Sequence, residues 1–384
     1  MQKPVISNPG IRFHYLDGIR GVAAFLVIFY HFKNAFFDSS KNSSAYTYLW
    51  QKLDLFFLNA DFSVQIFFAL SGFVLAYNSF NKEKFLKKQW IKRYYRLVIP
   101  VFIASLFYYL FIKTGILSFS SIYSNEWTSR HWQVSYTFPQ FVIHFFFHFL
   151  LLSDWQFIFG INSSLWTIPI ELLWSYILFA HFYLINFIKQ VWVKNLFLLL
   201  SVLFIIRFTE ATGKSYGFLF LGGALMALNY KAIRHFFNQA YRRYFLLALA
   251  VLYTVIVEKG WLAESFSLPF RWSFFAALLY LLLALVSVKL QYFFSLPFLQ
   301  WLGRISFSLY LLHLLIIGSI ASWLFTDFSF IRLDGGLLLL LAITILVSLL
   351  VANLFSRFVD ELLMKLYDKV YNRIILNKKK SIKA

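Results

Sequence analysis

No cysteine occurs in the 384 residues, so disulfides, thiol nucleophiles and thiolate metal sites are excluded at the outset. Acids are scarce as well: 16 against 36 lysines and arginines, a formal net charge of +20. A surplus of that size would suit nucleic acid, but the basic residues gather at the ends of apolar runs, where they would face a membrane surface. Nucleic acid is therefore not an expected partner, and membrane lipids are. The 15 glycines and seven prolines form no linker, and no internal repeat is evident, so one domain is expected. The first apolar run lacks a small-residue cleavage site, since Ile28-Phe29-Tyr30-His31-Phe32 has the wrong composition. It reads as an uncleaved first helix.

Apolar residues make up 60% of the chain and aromatics 22%, against about 45–50% apolar usage in soluble domains. Little room remains for a separate soluble domain. Apolar runs fall near 18–37, 56–79, 97–113, 140–152, 165–188, 195–208, 216–230, 244–257, 271–290, 305–325 and 336–356. Lys82, Lys84, Lys87, Lys88, Lys92, Arg93 and Arg96 mark a cytoplasmic loop, and Arg357 through Lys383 mark a cytoplasmic tail. With the N-terminus inside as well, the number of crossings must be even. The run 140–152 is the one to remove: about twenty apolar residues are needed to span, and this shorter run carries His144 and His148. It is expected to lie at the outer surface or to re-enter. The expected fold is all-α, a polytopic transmembrane helical bundle of about ten spans with both termini cytoplasmic. Residues 1–356 would form the membrane domain and 357–384 a basic tail.

Within the first run, Arg20 and His31 are separated by eleven residues, about three helical turns and about 16 Å of rise. Both side chains therefore leave one face. Asp17 lies three residues before Arg20, within ion-pair reach on a helix. Ionisable groups in hydrocarbon are costly and point to function. Arg20 taken alone is equally well explained as a headgroup anchor. An imidazole titrates near neutral pH and suits a general base.

Other polar residues interrupt the apolar pattern. Arg93 and Arg96 share a face where the third run begins, and the planar guanidinium suits phosphate; setting topology explains them as well. Glu171 is an acid inside a span, with Ser175 as the polar neighbour on its own face. It is protonated, or it meets a cation or imidazole of another helix, and His31 lies at comparable depth; a structural bond to a neighbouring helix is the alternative. Ser164 can cap that helix, and Pro169 falls near its first turn. Ser306, Tyr310 and His313 form an i, i+4, i+7 stripe that interhelical hydrogen bonding explains. Ser71 and Gly72 allow close helix approach. His144 and His148 are one turn apart, but no third ligand accompanies them and HFFFH lacks the glutamate of a zinc-protease helix. They read as an interfacial surface, and no metal is expected.

Several of these residues stand in recognisable surroundings. LDGIRGVAA leading to Arg20 and His31 resembles the R-x10-H opening of the acyltransferase 3 family. IFFALSGFVL, around Ser71, resembles its FF-x-x-SG signature, although Gln65 stands where many relatives carry aspartate, and Asp61 precedes it by four residues. WIKRYYRLVIP resembles R-x-x-R-L/I-x-x-P, and LWTIPIE, with Trp166 and Glu171, resembles LWSL-x-x-E. WLGRISFSLYLLHLLI resembles the closing signature.

The resemblance implies an integral membrane enzyme, of a bacterial inner membrane. It would move an acyl group, by expectation acetyl, from cytosolic acyl-CoA to a hydroxyl of a cell-surface or lipid-linked carbohydrate such as polysaccharide or lipopolysaccharide. His31 and Glu171 would be catalytic, with Glu171 orienting the imidazole. Arg20, Arg93 and Arg96 would hold the acyl-CoA (acetyl-CoA) phosphates. Asp17, Ser71, Trp166, Ser306, Tyr310 and His313 would line the substrate or support the catalytic pair. His31 could act as base or carry the acyl group transiently. The alternative is a transporter or flippase of a lipid-linked sugar, although paired repeats and matched broken spans are missing.

The topology is directly testable. Reporters fused after Lys380 and within Lys82–Lys88 should read cytoplasmic, and one near Trp127 extracytoplasmic. A tail that reads outside removes the even count.

Overall fold

A computed structural model of the chain describes residues 13–36, 59–80, 86–117, 131–132, 135–150, 154–208, 213–258, 272–332 and 334–381. Lys82, Lys84, Trp127 and Lys383 of the sequence reading lie outside them. Every regular element among the described residues is helical. The longer ones are α1 (His14–Phe36), α2 (Ala60–Phe80) and α3 (Leu86–Lys113). Next come the short α4 (Phe138–Ile143), which runs into a π-helical turn at His144–Phe149, and α5 (Trp155–Ile161). They are followed by α6 (Thr167–Ile185), α7 (Val191–Phe208), α8 (Gly217–Leu228), α9 (Tyr230–Phe236) and α10 (Ala240–Glu258). The last group is α11 (Ser273–Val286), α12 (Val288–Phe294), α13 (Pro297–Ile316), α14 (Ser322–Asp327), α15 (Asp334–Phe355) and α16 (Leu362–Ser381).

Seven of these stretches are long and apolar enough to cross a membrane, and eight if α11 and α12, bent by 93°, count as one span. Among the described residues there are thus seven or eight candidate spans, where the sequence leads to about ten. The remaining apolar helices, Val191–Ile205 and Gly217–Leu228, rise about 22 Å and 18 Å, short of a hydrocarbon core of about 30 Å. The chain is an integral membrane protein. The basic tail is helical as far as Ser381, continuing from α15 through a π-helical turn at Ser356–Glu361.

The chain divides into two compact units: residues 1–26, 55–87 and 173–303, and residues 27–54, 88–172 and 304–384. In the first unit backbone contact dominates. A Cβ on Gly72 of α2 would fall on the Phe220 carbonyl of α8, and one on Gly223 of α8 would fall on the Ala69 carbonyl. Helices in lipid gain nothing from expelling water between them, so close van der Waals contact holds such pairs. Gly303, at the start of α13, lies against the Asp17 carbonyl of α1 in the same way. Gln65 is buried and donates its Nε2 to Ser273 Oγ of α11 at 2.8 Å.

In the second unit rings fill the core. Phe141, Phe145, Phe149 and Phe157 are fully buried, with ring centroids 5.4–6.0 Å apart. Trp132 has φ 57°, a backbone region that bulky residues seldom adopt. Its amide donates to the Phe159 carbonyl at 3.2 Å and its indole Nε1 to the Ile161 carbonyl at 3.1 Å. The indole lies against Gly318, where a Cβ would overlap it. Those contacts over-determine the strained residue.

Gly72→Leu or Gly223→Leu should lower stability by about 1–3 kcal/mol or more through overpacking. Gly335→Ala, with open space around its Cβ, should stay within about 0.5 kcal/mol. Thermal unfolding of the purified protein in detergent checks both; equal midpoints would remove the close-approach argument.

Candidate active site

The second unit organises its polar groups around three successive carbonyls of α13. His313 Nδ1 lies 3.2 Å from the Leu309 oxygen and 2.9 Å from the Tyr310 oxygen. Asn162 Nδ2 and the Tyr108 hydroxyl donate to the Leu311 oxygen at 2.9 Å and 3.1 Å. Tyr310 in turn donates its hydroxyl to the Ser164 carbonyl at 2.6 Å, with Thr167 Oγ1 at 3.0 Å. All of these side chains are buried, and a buried polar group without a partner would cost about 1–3 kcal/mol. The segment 162–167 is therefore pinned to α13. Asn162 does the capping: its Oδ1 accepts from the Ser164 amide at 3.0 Å and from the Ser164 hydroxyl at 2.7 Å. The sequence reading gave that role to Ser164. Asparagine ranks with serine as a cap, and here it stands directly before the 3-10 turn Ser163–Trp166 that leads into α6.

His31, half-buried on α1, meets buried His313 with Nδ1 2.9 Å from His313 Nε2. The proton positions follow from the carbonyls. A carbonyl only accepts, so neutral His313 carries its proton on Nδ1 and offers a lone pair on Nε2. The hydrogen in the inter-ring bond must then belong to His31 Nδ1, which leaves the His31 lone pair on Nε2. The Val27 carbonyl one turn earlier is a second acceptor for the His31 ring, and with one proton on the neutral ring the Nδ1–H is shared between it and His313. The arrangement holds an imidazole in one tautomer, as an acceptor behind a catalytic base does.

Glu171 is paired with Arg93, Nη2 to Oε1 at 2.5 Å, both side chains being mostly buried. Sequence reasoning put Glu171 behind His31 and Arg93 at a phosphate; the ring behind His31 is His313. The reason is register. Tyr310 of α13 meets Thr167, the first residue of α6, and Glu171 lies one turn further along α6. That turn is about 6 Å of rise, and the side chain there is taken up by Arg93. It remains within electrostatic reach of Tyr310.

The other sequence candidates are distributed as follows. Asp17 and Arg20, half-buried on α1, and buried Ser71 belong to the first unit. In the second unit Trp166 is half-buried, Ser306 is buried and Arg96 is exposed on α3. Arg96 faces Asp360 electrostatically, and Asp360 Oδ2 accepts from Ser308 at 2.6 Å.

Three groups escaped the sequence reading. His131 is buried, has Nε2 2.7 Å from Ser163 Oγ, and interacts electrostatically with His31. It lies outside every apolar run, so no helical stripe could point to it. Asn162 stood in plain view as the N-S-S that precedes Leu165. Asp154 meets His144 at 3.1 Å, ten residues away and off any helical period.

Comparison with known proteins covers nearly the whole chain with one family. The family model described as an acyltransferase domain matches residues 13–357, a range that holds His31, Glu171 and His313. No curated protein and no solved structure matches the chain. The match runs from the start of α1 to the end of α15, so the chain belongs to the acyltransferase 3 family.

Proposed function

We propose that the protein transfers an acyl group, acetyl in the simplest case, from acyl-CoA to a hydroxyl of a cell-surface or lipid-linked carbohydrate. His31 is the general base in this reading. One observation carries it: the 2.9 Å contact between His31 Nδ1 and His313 Nε2, with the far nitrogen of His313 tied to two carbonyls. Family membership supports acyl transfer as the reaction class.

The step balances without a further reactant. His31 Nε2 takes the proton of the acceptor hydroxyl as its oxygen attacks the thioester carbonyl. The tetrahedral intermediate collapses with cleavage of the C–S bond, and the imidazolium returns its proton to the departing CoA thiolate. An ester and CoA-SH result. His313 keeps the base in the right tautomer and accepts a hydrogen bond from the imidazolium. Its role is positioning.

Exposed Arg96 of the second unit is assigned to the donor's phosphates, and Arg20, on α1 in the first unit, is kept as a phosphate-binding candidate on its own chemistry. Arg93 is assigned to Glu171 instead, because it already spends Nη2 there. Glu171 then sets the field around Tyr310, next to the segment that pins α13. Trp166 and Ser306 are assigned to the acceptor side of the same unit, and Asp17 and Ser71 to support of α1 and α2.

The experiment uses purified variants in nanodiscs with acetyl-CoA and a glycan acceptor, following acylated product and released thiol. His31→Asn cannot accept a proton at neutral pH and should lower turnover by about 10²–10⁴-fold while the protein remains folded. His313→Gln restores an acceptor for the His31 Nδ1–H and should lose less than His313→Leu. His181→Asn, whose ring bonds the Ile177 carbonyl and Ser201, should match wild type. Turnover of His31→Asn within a few-fold of wild type overturns the assignment and moves the transporter reading ahead.

A further inference from the structure

The second unit holds a cluster that acyl transfer leaves unused. His144 and His148 sit in the π-helical turn after α4, and Asp154 stands just before α5. Turns of that type recur at functional sites. Three donor atoms converge there: His144 Nδ1 to Asp154 Oδ2 at 3.1 Å, His148 Nδ1 to His144 Nδ1 at 3.1 Å, and His148 Nδ1 to Asp154 Oδ2 at 3.9 Å. The sequence placed no third ligand beside the two histidines; the fold brings Asp154 to them.

Hydrogen bonding accounts for this cluster only through one proton shared between two acceptors. Each imidazole nitrogen carries at most one proton. A proton on His144 Nδ1 would have to serve Asp154 and His148 together. Protons on both Nδ1 atoms would face each other at 3.1 Å. Three lone pairs aimed at one centre meet neither difficulty. Zinc takes nitrogen at about 2.0–2.1 Å and carboxylate oxygen at about 2.0–2.2 Å in a tetrahedral shell, whose edges are then about 3.3–3.5 Å. The three observed separations bracket that range.

Two further features mark the cluster as built. Asp154 Oδ1 is held by the backbone amides of Gln156 at 2.9 Å and Phe157 at 3.4 Å, which turns Oδ2 toward the histidines. Metal ligands are commonly oriented by such outer contacts. Beside them, Tyr136 is buried, and its ring centroid lies 4.7 Å from that of His144. Its hydroxyl has no hydrogen-bond partner among the described residues and interacts electrostatically with Asp154.

We propose that His144 Nδ1, His148 Nδ1 and Asp154 Oδ2 bind one zinc ion, with the Tyr136 hydroxyl at or beside the fourth position. The ion ties the π-helical turn to the start of α5. That helix ends at Asn162, which caps the turn carrying Ser163 and Ser164 and bonds the Leu311 carbonyl. The ion therefore acts as a clamp one helix away from the His31–His313 pair.

The test uses the full-length protein, tag removed, purified in detergent, stripped with a chelator and dialysed against zinc chloride. Metal content by mass spectrometry and the thermal midpoint are read together. Wild type should hold about one zinc per chain and unfold at a higher temperature with zinc than without. Asp154→Asn isolates the metal, because asparagine caps a helix as well as aspartate does but ligates zinc poorly. It should keep the stripped protein's midpoint, lose the zinc-dependent rise and bind zinc at least about tenfold more weakly. His148→Gln should behave alike. Cobalt(II) in place of zinc should give the visible spectrum of a tetrahedral site in wild type alone. Zinc retention equal in wild type and Asp154→Asn, or no zinc-dependent rise in wild type, overturns the proposal.

Discussion

The bond between His313 Nδ1 and the carbonyls of its own helix is the constraint on which the rest of the candidate site depends. In an apolar surrounding the ring cannot leave that nitrogen unsatisfied. Once Nδ1 holds the proton, the tautomer of His313 is decided, then the direction of the inter-ring bond, then the nitrogen on which His31 keeps its lone pair. One ring and two carbonyls thus set the chemistry of a residue on another helix. The neighbouring carbonyl of Leu311, shared by Asn162 and Tyr108, ties the start of α6 to the same stretch of α13. The polar network is small, buried and mutually dependent, and such networks have much to lose from a single unsatisfied member.

The two units use different physics to hold their helices. In the first, glycines let backbones touch, because lipid offers no gain from burying apolar side chains. In the second, phenylalanine rings fill the space between α3, α4 and α5, and a strained Trp132 fits beside Gly318. A rigid aromatic packing next to a polar network suits a unit that must hold imidazoles in register. The Arg93–Glu171 pair follows the same logic: an acid within a span is tolerable when a guanidinium reaches it.

Much of the site was legible before any tertiary contact was known. Arg20 and His31 were visible as costly groups on a helix stripe, Glu171 as an acid in a span, and His313 as part of a polar stripe on α13. Their pairing was not legible. Helical period says which residues share a face, but it carries no information on the height at which two helices meet. Hence Glu171 was allotted to His31 and His313 to support, whereas the structure pairs His31 with His313 and Glu171 with Arg93. His131 and Asp154 lie off the apolar runs, so a search organised by helical period passed over them.

By itself the sequence determined the class of the molecule and its family. Apolar runs cannot be buried in water at that density, and residues with a high cost in lipid stand out against them at whatever distance they pair. Only the tertiary structure decided which of the described helices are long enough to span, which ring meets His31, and that His144 and His148 share a carboxylate. These depend on where a helix ends and on how two elements are aligned. Hydrophobicity is nearly indifferent to a shift of one turn, whereas a hydrogen bond between rings is lost over about an ångström.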